Sequence, residues 1–232
     1  MIAENENSID IEITTDISTI TSANSRFSSG TVFTPFPEAE WRFIPFNYKQ
    51  SIRKTQFTKA LKDYDLQLSD IDSINNISKH RDKITKAYKC IDGDLNENSL
   101  VLFSGKKDDD DIFCFVHYHD WFYRYFLDIR FRCGCLYMGD VDLNEPYLIS
   151  DLQRKLGKLF STLGTLQIPH HGSLHNFEKS ILNSDIRCAI LSFGTTNTYG
   201  HPSDRVIGEL IANKVHPHLV TEEQLSMVTQ WK

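Results

Sequence analysis

The chain has 232 residues, 40% hydrophobic and 24% charged, a composition typical of one globular domain or one domain with an arm. Its formal net charge of −6 disfavours a non-specific nucleic-acid binder, although a nuclease can hold phosphate with metal ions and a local basic patch. No apolar run is long enough to cross a membrane and the first 29 residues are polar and acidic, which predicts a soluble, cytoplasmic protein without membrane association.

The first part of the chain is predicted to form an arm, two strands and two helices. Residues 1–30 are rich in Ser, Thr, Asn, Asp and Glu, which predicts a polar N-terminal arm or a marginal strand. Glycine and two prolines within residues 30–37 then break the chain. Strands are predicted at 41–46 and 99–103, and helices at 51–64 and 69–88. Asn75 and Asn76 weaken the second helix.

Two strand patterns follow residue 112, and from residue 130 onward apolar strand patterns alternate with helical ones. Strands are predicted at 112–119, 126–138, 163–168, 188–193, 219–220 and 227–231, and helices at 146–159, 177–182 and 204–213. Such alternation is typical of layered α/β proteins. The predicted fold class is therefore α/β with α+β layering.

Three other groups of residues have simple interpretations. The five cysteines include no CxxC pair and are predicted to be buried free thiols. They are Cys90, Cys114, Cys133, Cys135 and Cys188. The acidic run 108–111 predicts a solvated hairpin tip, since four adjacent carboxylates cannot all face one cation. Arg130 and Arg132, with Arg124 nearby, are candidate phosphate contacts, but an ordinary solvated strand face is the favoured interpretation.

Metal-type ligands follow two of the predicted strands. Asp140 comes directly after Gly139 at the end of one apolar strand, and His170 and His171 follow the end of another. Functional residues of layered α/β folds gather where strands end, and aspartate with histidine suits Zn²⁺ or Mn²⁺. A turn or a helix cap is the alternative for the Gly-Asp pair, whereas two adjacent histidines are a more selective signal.

A third polar element is the loop at 195–202, between a predicted strand and a predicted helix. It places His201 where an imidazole can act as an outer hydrogen-bond donor or an acid. The alternative is a turn in which Asn197, Gly200 and Pro202 serve the backbone geometry alone.

Four segments in order resemble one family. They are Asn98-Ser99-Leu100-Val101-Leu102, Leu136-Tyr137-Met138-Gly139-Asp140, Pro169-His170-His171-Gly172-Ser173 and Asn197-Thr198-Tyr199-Gly200-His201-Pro202. Together they resemble the hydrolase domain of ComEC-type competence proteins, within the metallo-β-lactamase superfamily. The segment 220–223 is similar to that family's final strand region. The resemblance is close over about 95–232 and loose over about 30–95.

The resemblance implies a two-metal hydrolase built as an αββα sandwich, with residues 31–232 as a partial domain of that type. The aspartate that matches Asp140 would bridge two Zn²⁺ or Mn²⁺ ions. His170, or alternatively His171, would complete the second metal site. His201 would hold a substrate phosphate or the leaving oxygen. The implied substrate is a phosphodiester, including nucleic acid.

The front signature of that family, His-x-(His or Asp)-x-Asp-His, is absent from the sequence. The nearest segment, His117-Tyr118-His119-Asp120, lacks the last two ligands and stands in the wrong order relative to the other motifs. Asp140 and one or two histidines are fewer ligands than a two-metal site needs. The chain is therefore expected to be incomplete by itself, as a truncated product, half of a split enzyme or a degenerate module.

Two functions from different classes follow. The first is a metal-dependent phosphodiesterase or nuclease that acts when a partner protein supplies the front half of the fold. The second is a catalytically inactive interaction module of the same fold. A lactamase-type or thioester hydrolase is a third possibility, which the four motifs disfavour by resemblance.

Overall fold

The computed structural model of the chain describes residues 14–16, 29–47, 51–71, 74–92, 99–106, 115–118, 132–183, 185–223, 226 and 228–231. The strands within these ranges are β1 (Thr14–Asp16), β2 (Val32–Thr34), β3 (Trp41–Asn47), β4 (Leu100–Lys106), β5 (Phe115–Tyr118), β6 (Gly134–Tyr137), β7 (Leu163–Gln167), β8 (Cys188–Ser192), β9 (His216–Val220) and β10 (Val228–Trp231). The α-helices are α1 (Ser51–Asp63), α2 (Ile74–Lys79), α3 (Arg81–Lys89), α4 (Leu148–Leu156) and α5 (Asp204–Ala212).

The described strands form one large mixed sheet and one small sheet. The large sheet has eight strands in the order β1-β2-β3-β4-β6-β7-β8-β9, and β5 pairs with β10 in the small antiparallel sheet. Strands β2, β3, β4 and β6 are joined by antiparallel pairing, whereas β6, β7, β8 and β9 are all parallel. The first strand, β1, pairs in parallel with β2, so three residues of the predicted arm join the sheet.

Helices α4 and α5 cover the face of the sheet that carries the main hydrophobic core. Leu136, Leu166 and Ala189 lie in register on β6, β7 and β8 and are all buried in this core. The same core contains buried side chains of both helices, which follow the i, i+4 spacing of an apolar helix face. They are Leu148, Leu152 and Leu156 of α4 and Val206 and Leu210 of α5. The prediction of an α/β fold with α+β layering is confirmed.

The alternate residues of the parallel strands form a second, more polar face. Cys135, Thr165 and Cys188 lie in register across β6, β7 and β8, and all three are buried. Burial raises the pKa of the Cys135 and Cys188 thiols to about 12, so both stay protonated and chemically inert near neutral pH. On β9, His218 is buried and its ring stacks on that of His216, with 5.2 Å between centroids.

A smaller cluster of buried residues forms around α1 and α3, which contact each other. Its buried members are Ala60, Leu61, Leu66 and Ala87. This region differs from the prediction of one helix at 69–88. A 3-10 turn at Leu68–Ile71 precedes α2, and a single residue separates the end of α2 from the start of α3. Asn75 and Asn76, which favour helix interiors weakly, occupy the short α2.

Other predicted elements are shorter than expected for local reasons. Helix α4 begins at Leu148 rather than 146, because Tyr147 has a left-handed backbone with φ 67°, and it ends before Gly157 at φ 52°. The predicted helix at 177–182 is a single 3-10 turn, Lys179–Ile181. The acidic run 108–111 and residues 126–131 of the strand predicted at 126–138 lie outside the described residues.

The cysteine prediction is correct for three residues and wrong for one. Cys133, Cys135 and Cys188 are buried free thiols, whereas Cys90 is free but exposed after the end of α3. Cys114 lies outside the described residues. Among the helices that the structure describes, none has the length and apolar character that a membrane crossing requires.

Two adjacent residues of α5 test whether the helix is held by core burial. Leu210 is completely buried, whereas Ile211 is 60% exposed. We expect Leu210→Ala to lower the free energy of unfolding by about 2–5 kcal/mol, since it leaves a cavity in the core. Ile211→Ala, the control, is expected to change it by less than about 0.5 kcal/mol. Urea denaturation measures both, and equal effects would contradict this packing.

Buried His218 gives the protein a predicted pH dependence of stability. Burial lowers the pKa of His218 from 6.5 to about 4, so the unfolded chain binds this proton more tightly than the folded one. The contribution of neutral His218 to the free energy of unfolding is complete above pH 6.5. It is lost progressively as the pH falls from 6.5 to about 4. At pH 5 the loss is roughly 2 kcal/mol. Urea denaturation at pH 7.5 and pH 5 is expected to show a smaller acid loss in His218→Gln. An identical loss in both proteins would refute this assignment.

Candidate functional site

The polar residues singled out from the sequence gather at one edge of the large sheet. Because β6, β7, β8 and β9 are parallel neighbours, their carboxyl ends lie side by side. Asp140 follows β6, the His170-His171 pair follows β7, and the loop that carries His201 follows β8. In open α/β sheets this edge is where ligands bind, because loops vary there over a rigid frame.

The turn after β6 is held from three sides. Gln167, the last residue of β7, accepts hydrogen bonds at Oε1 from the backbone N–H groups of Met138 (3.1 Å) and Gly139 (3.3 Å). The hydroxyl of Ser99, just before β4, accepts the backbone N–H of Asp140 at 3.2 Å. The backbone N–H of His170 donates to the carbonyl of Gly139 at 2.9 Å. These contacts fix the backbone that presents the Asp140 side chain.

The turn after β7 has an unusual backbone. His170, His171 and Gly172 form a 3-10 turn with φ values of 47°, 58° and 83°. Left-handed backbone in a residue other than glycine destabilises a protein by about 1–3 kcal/mol and is concentrated at functional sites. At Gly172 a Cβ would lie 2.7 Å from Cδ2 of Leu191 and 2.8 Å from Cβ of Pro202, so a larger residue does not fit.

The exposed ring of His171 is fixed in one tautomer. Its Nδ1 lies 2.6 Å from the carbonyl oxygen of Ser192, the last residue of β8. Because a carbonyl oxygen is an acceptor, Nδ1 carries the proton of this bond, and in the neutral ring Nε2 keeps its lone pair. Histidines that ligate metals commonly donate their other ring N–H to a carbonyl in this way. This contact favours His171 over His170 as a ligand, whereas the sequence favours His170.

The rings of His170 and His201 meet edge to face between the β7 and β8 loops, with 71° between their planes. Their centroids are 5.9 Å apart, and the His170 and His171 centroids are 6.0 Å apart. Nδ1 of His170 and Nδ1 of His201 are both buried and have no hydrogen-bond partner among the described residues. Burial lowers the pKa of His201, and electrostatic repulsion from neighbouring histidines lowers it further. The His201 ring is therefore neutral near pH 7 and retains one lone pair.

The loop that carries His201 is braced at both ends. The Asn197 side chain donates to the carbonyls of Gly194 (2.8 Å) and His201 (2.9 Å), and its Oδ1 accepts the backbone N–H of His201 at 3.3 Å. The Glu222 carboxylate, beyond β9, accepts hydrogen bonds from the backbone N–H and the hydroxyl of Thr195. The Thr195 hydroxyl and backbone lower the pKa of Glu222, so this carboxylate is ionised.

Asp140 places a second carboxyl group at this edge, besides Glu222. Its carboxylate is half-buried and has no hydrogen-bond or ion-pair partner within the described ranges. Burying a charge without a partner is unfavourable. A carboxylate and imidazole rings that follow neighbouring strands are ligand types suited to a divalent cation.

The two-metal centre implied by the family resemblance needs more ligands than this edge provides. In the part of the chain that the structure describes, no three His, Cys, Asp or Glu side chains converge as a group able to hold a metal ion. Asp140, His170 and His171 therefore do not form that centre by themselves. These residues can supply some of the ligands of such a centre but not all of them.

Several residues predicted or considered from the sequence do not join this edge. His117 lies in β5, whose backbone pairs with β10, and His119, Asp120, Arg124 and Arg130 lie outside the described residues. The positioning roles of Gln167 and Glu222 were not predicted. Ser99, Asn197 and Glu222 do stand in or beside the quoted motifs, so the motifs marked them without giving their function.

A comparison of the chain with models of known protein families, with curated proteins and with solved structures finds no match. The resemblance to metallo-β-lactamase-like hydrolases therefore rests on the four ordered motifs of the sequence alone.

Two glycines with left-handed backbones test how tightly the His170–Gly172 turn is packed. Gly172 (φ 83°) is enclosed by Leu191 and Pro202, whereas a Cβ added at Gly200 (φ 71°) would meet no atom within 4 Å. We expect Gly200→Ala to lower the free energy of unfolding by about 1–2 kcal/mol from backbone strain alone. Gly172→Ala is expected to lower the free energy of unfolding by a further amount of about 1–3 kcal/mol, because the added Cβ overpacks the turn.

Urea denaturation measures both variants, and NMR spectra of the histidine rings report the site. A Gly172→Ala protein as stable as Gly200→Ala, with unchanged resonances for His170 and His171, would show that the turn is not enclosed as described.

Proposed function

We propose that this chain carries part of the active site of a metallo-β-lactamase-like metal-dependent hydrolase. The proposed activity is that of a phosphodiesterase. The observation that carries the proposal is a set of possible metal-ligand atoms at one sheet edge that have no hydrogen-bond partner among the described residues. Nδ1 of His170 and Nδ1 of His201 are buried without partners among the described residues, and the Asp140 carboxylate has none there either. Unsatisfied groups of this kind are uncommon in folded proteins unless a ligand or water completes them.

The chemistry of these donors supports a divalent cation. Neutral imidazole and carboxylate are the ligands that Zn²⁺ and Mn²⁺ take in proteins. The low pKa of His201 keeps its ring neutral at pH 7 and available for coordination or hydrogen bonding. The Ser192 carbonyl engages Nδ1 of His171 and leaves Nε2 as the ring nitrogen available for a ligand.

The site is proposed to be completed from elsewhere. No three donors converge within the described ranges, so further ligands would come from residues outside those ranges or from a partner protein. In this proposal a partner protein supplies the missing front half of the fold. The rigid backbone around Asp140 and the braced loop of His201 would hold this chain's share of the site in place.

A phosphodiester is the proposed substrate because of the motif order and the available hydrogen-bonding groups. A neutral His201 ring is able to donate or accept one hydrogen bond with a phosphate oxygen. The net charge of −6 disfavours binding of nucleic acid over the whole surface, so recognition would be local to this edge.

A catalytically inactive interaction module is the second candidate function. The lack of three converging donors in the described part of the chain favours it. In this case the braced edge would be retained as a rigid surface, and the Asp140 side chain would be unimportant for cation binding.

Calorimetric titration of the purified chain with MnCl₂ separates the two functions. We expect weak binding by the wild type and at least about tenfold weaker binding by Asp140→Asn, because a ligand is lost. Asp142→Asn is the matched control, since the carboxylate of Asp142 already accepts hydrogen bonds from Asn144. Hydrolysis of bis(p-nitrophenyl) phosphate is measured in parallel.

Equal affinity of the wild type and Asp140→Asn for Mn²⁺ would reject the metal site and leave the interaction module. Tight retention of two ions per chain, with hydrolysis, would instead show that the centre is complete and that no partner is required.

A further inference from the structure

An exposed aromatic ring stands beside the histidines. Tyr199 is 82% exposed, and its ring is stacked on that of His201 with 6.3 Å between centroids and 15° between planes. One face of the Tyr199 ring is therefore directed toward the site, and the other is open to solvent. A large aromatic side chain in this position loses the burial that normally stabilises it.

The loop holds this ring in place although the side chain itself is exposed. Asn197 hydrogen bonds to the backbone of His201 on the far side of Tyr199, and Glu222 fixes Thr195 before it. Gly200 follows with a left-handed backbone of φ 71°, which turns the chain back toward the His201 ring. The position of Tyr199 is thus set by hydrogen bonds on both sides rather than by packing of its own side chain.

The distances place Tyr199 within reach of a ligand held at the histidines. His201 is the direct neighbour of Tyr199 at 6.3 Å and of His170 at 5.9 Å, measured between ring centroids. A ligand with a phosphodiester at the histidines and an aromatic ring next to it would meet the open face of Tyr199. A nucleotide unit has this combination of groups.

We infer that Tyr199 is a specificity-determining residue that stacks on an unpaired nucleobase of a single-stranded nucleic acid whose phosphodiester lies at His170 and His201. The inference rests on the proposed function. Stacking needs a base with an open face, so a single strand or a frayed end fits and an intact duplex does not. Because every base has a π-face, recognition by Tyr199 is tolerant of sequence.

Binding of short oligonucleotides to the full chain tests the inference without requiring catalysis. The probes are a fluorescein-labelled oligothymidylate and an abasic oligomer of the same length, followed by anisotropy at low salt. We expect Tyr199→Ala to weaken binding of oligothymidylate roughly 5- to 150-fold. Tyr199→Phe keeps the ring and is expected to stay within about twofold of wild type.

The matched control is Tyr147→Ala, which removes a tyrosine of similar exposure (81%) at the start of α4. It is expected to leave binding unchanged. The abasic oligomer is expected to bind more weakly and to be insensitive to Tyr199→Ala.

Unchanged affinity in Tyr199→Ala, equal affinity for the two oligomers, or no binding of either would overturn the inference. The MnCl₂ titration of wild type and Asp140→Asn judges the proposed function separately. If the chain binds Mn²⁺ through Asp140 but its affinity does not depend on the base, the proposed function stands and the role of Tyr199 is rejected.

Discussion

The left-handed turn at His170–Gly172 exists because three neighbouring segments hydrogen bond to it. The backbone N–H of His170 donates to the Gly139 carbonyl, and Nδ1 of the His171 ring donates to the Ser192 carbonyl. The Gly172 carbonyl accepts a hydrogen bond from the Ser203 N–H at 3.0 Å. Isolated from these partners, three successive residues with positive φ would relax. The turn therefore depends on the parallel pairing of β6, β7 and β8, which brings the three segments together, and it in turn joins their loops into one rigid edge.

The two faces of the sheet serve different purposes. The face under α4 and α5 is apolar and supplies the burial that stabilises the fold. The other face carries Cys135, Thr165 and Cys188, small groups whose polar atoms are accommodated in the interior. Burial keeps both of these thiols protonated. The candidate site residues lie instead at the edge, where polar side chains remain partly solvated while their backbones are fixed.

The polar atoms at that edge differ in how completely the described residues satisfy them. A folded protein satisfies most of its buried polar atoms, and the surrounding turns do so thoroughly through Gln167, Ser99, Asn197 and Glu222. The buried Nδ1 atoms of His170 and His201 differ from these groups because no described residue completes them. Since no three metal-binding side chains converge within the described residues, we interpret the edge as part of a larger site.

The sequence by itself determined the layered α/β class, most strands and helices after residue 130, and the candidates Asp140, His170, His171 and His201. These follow from local periodicity and from rare residue types at strand ends, which depend little on distant contacts. It did not determine where α4 begins, since the left-handed Tyr147 has no local signal. It also did not give the hydrogen bond that fixes the His171 ring or the supporting roles of Gln167 and Glu222. Only the tertiary structure decided these, because each depends on a hydrogen bond between segments that are far apart in the chain, 21 residues for His171 with Ser192 and 27 for Thr195 with Glu222.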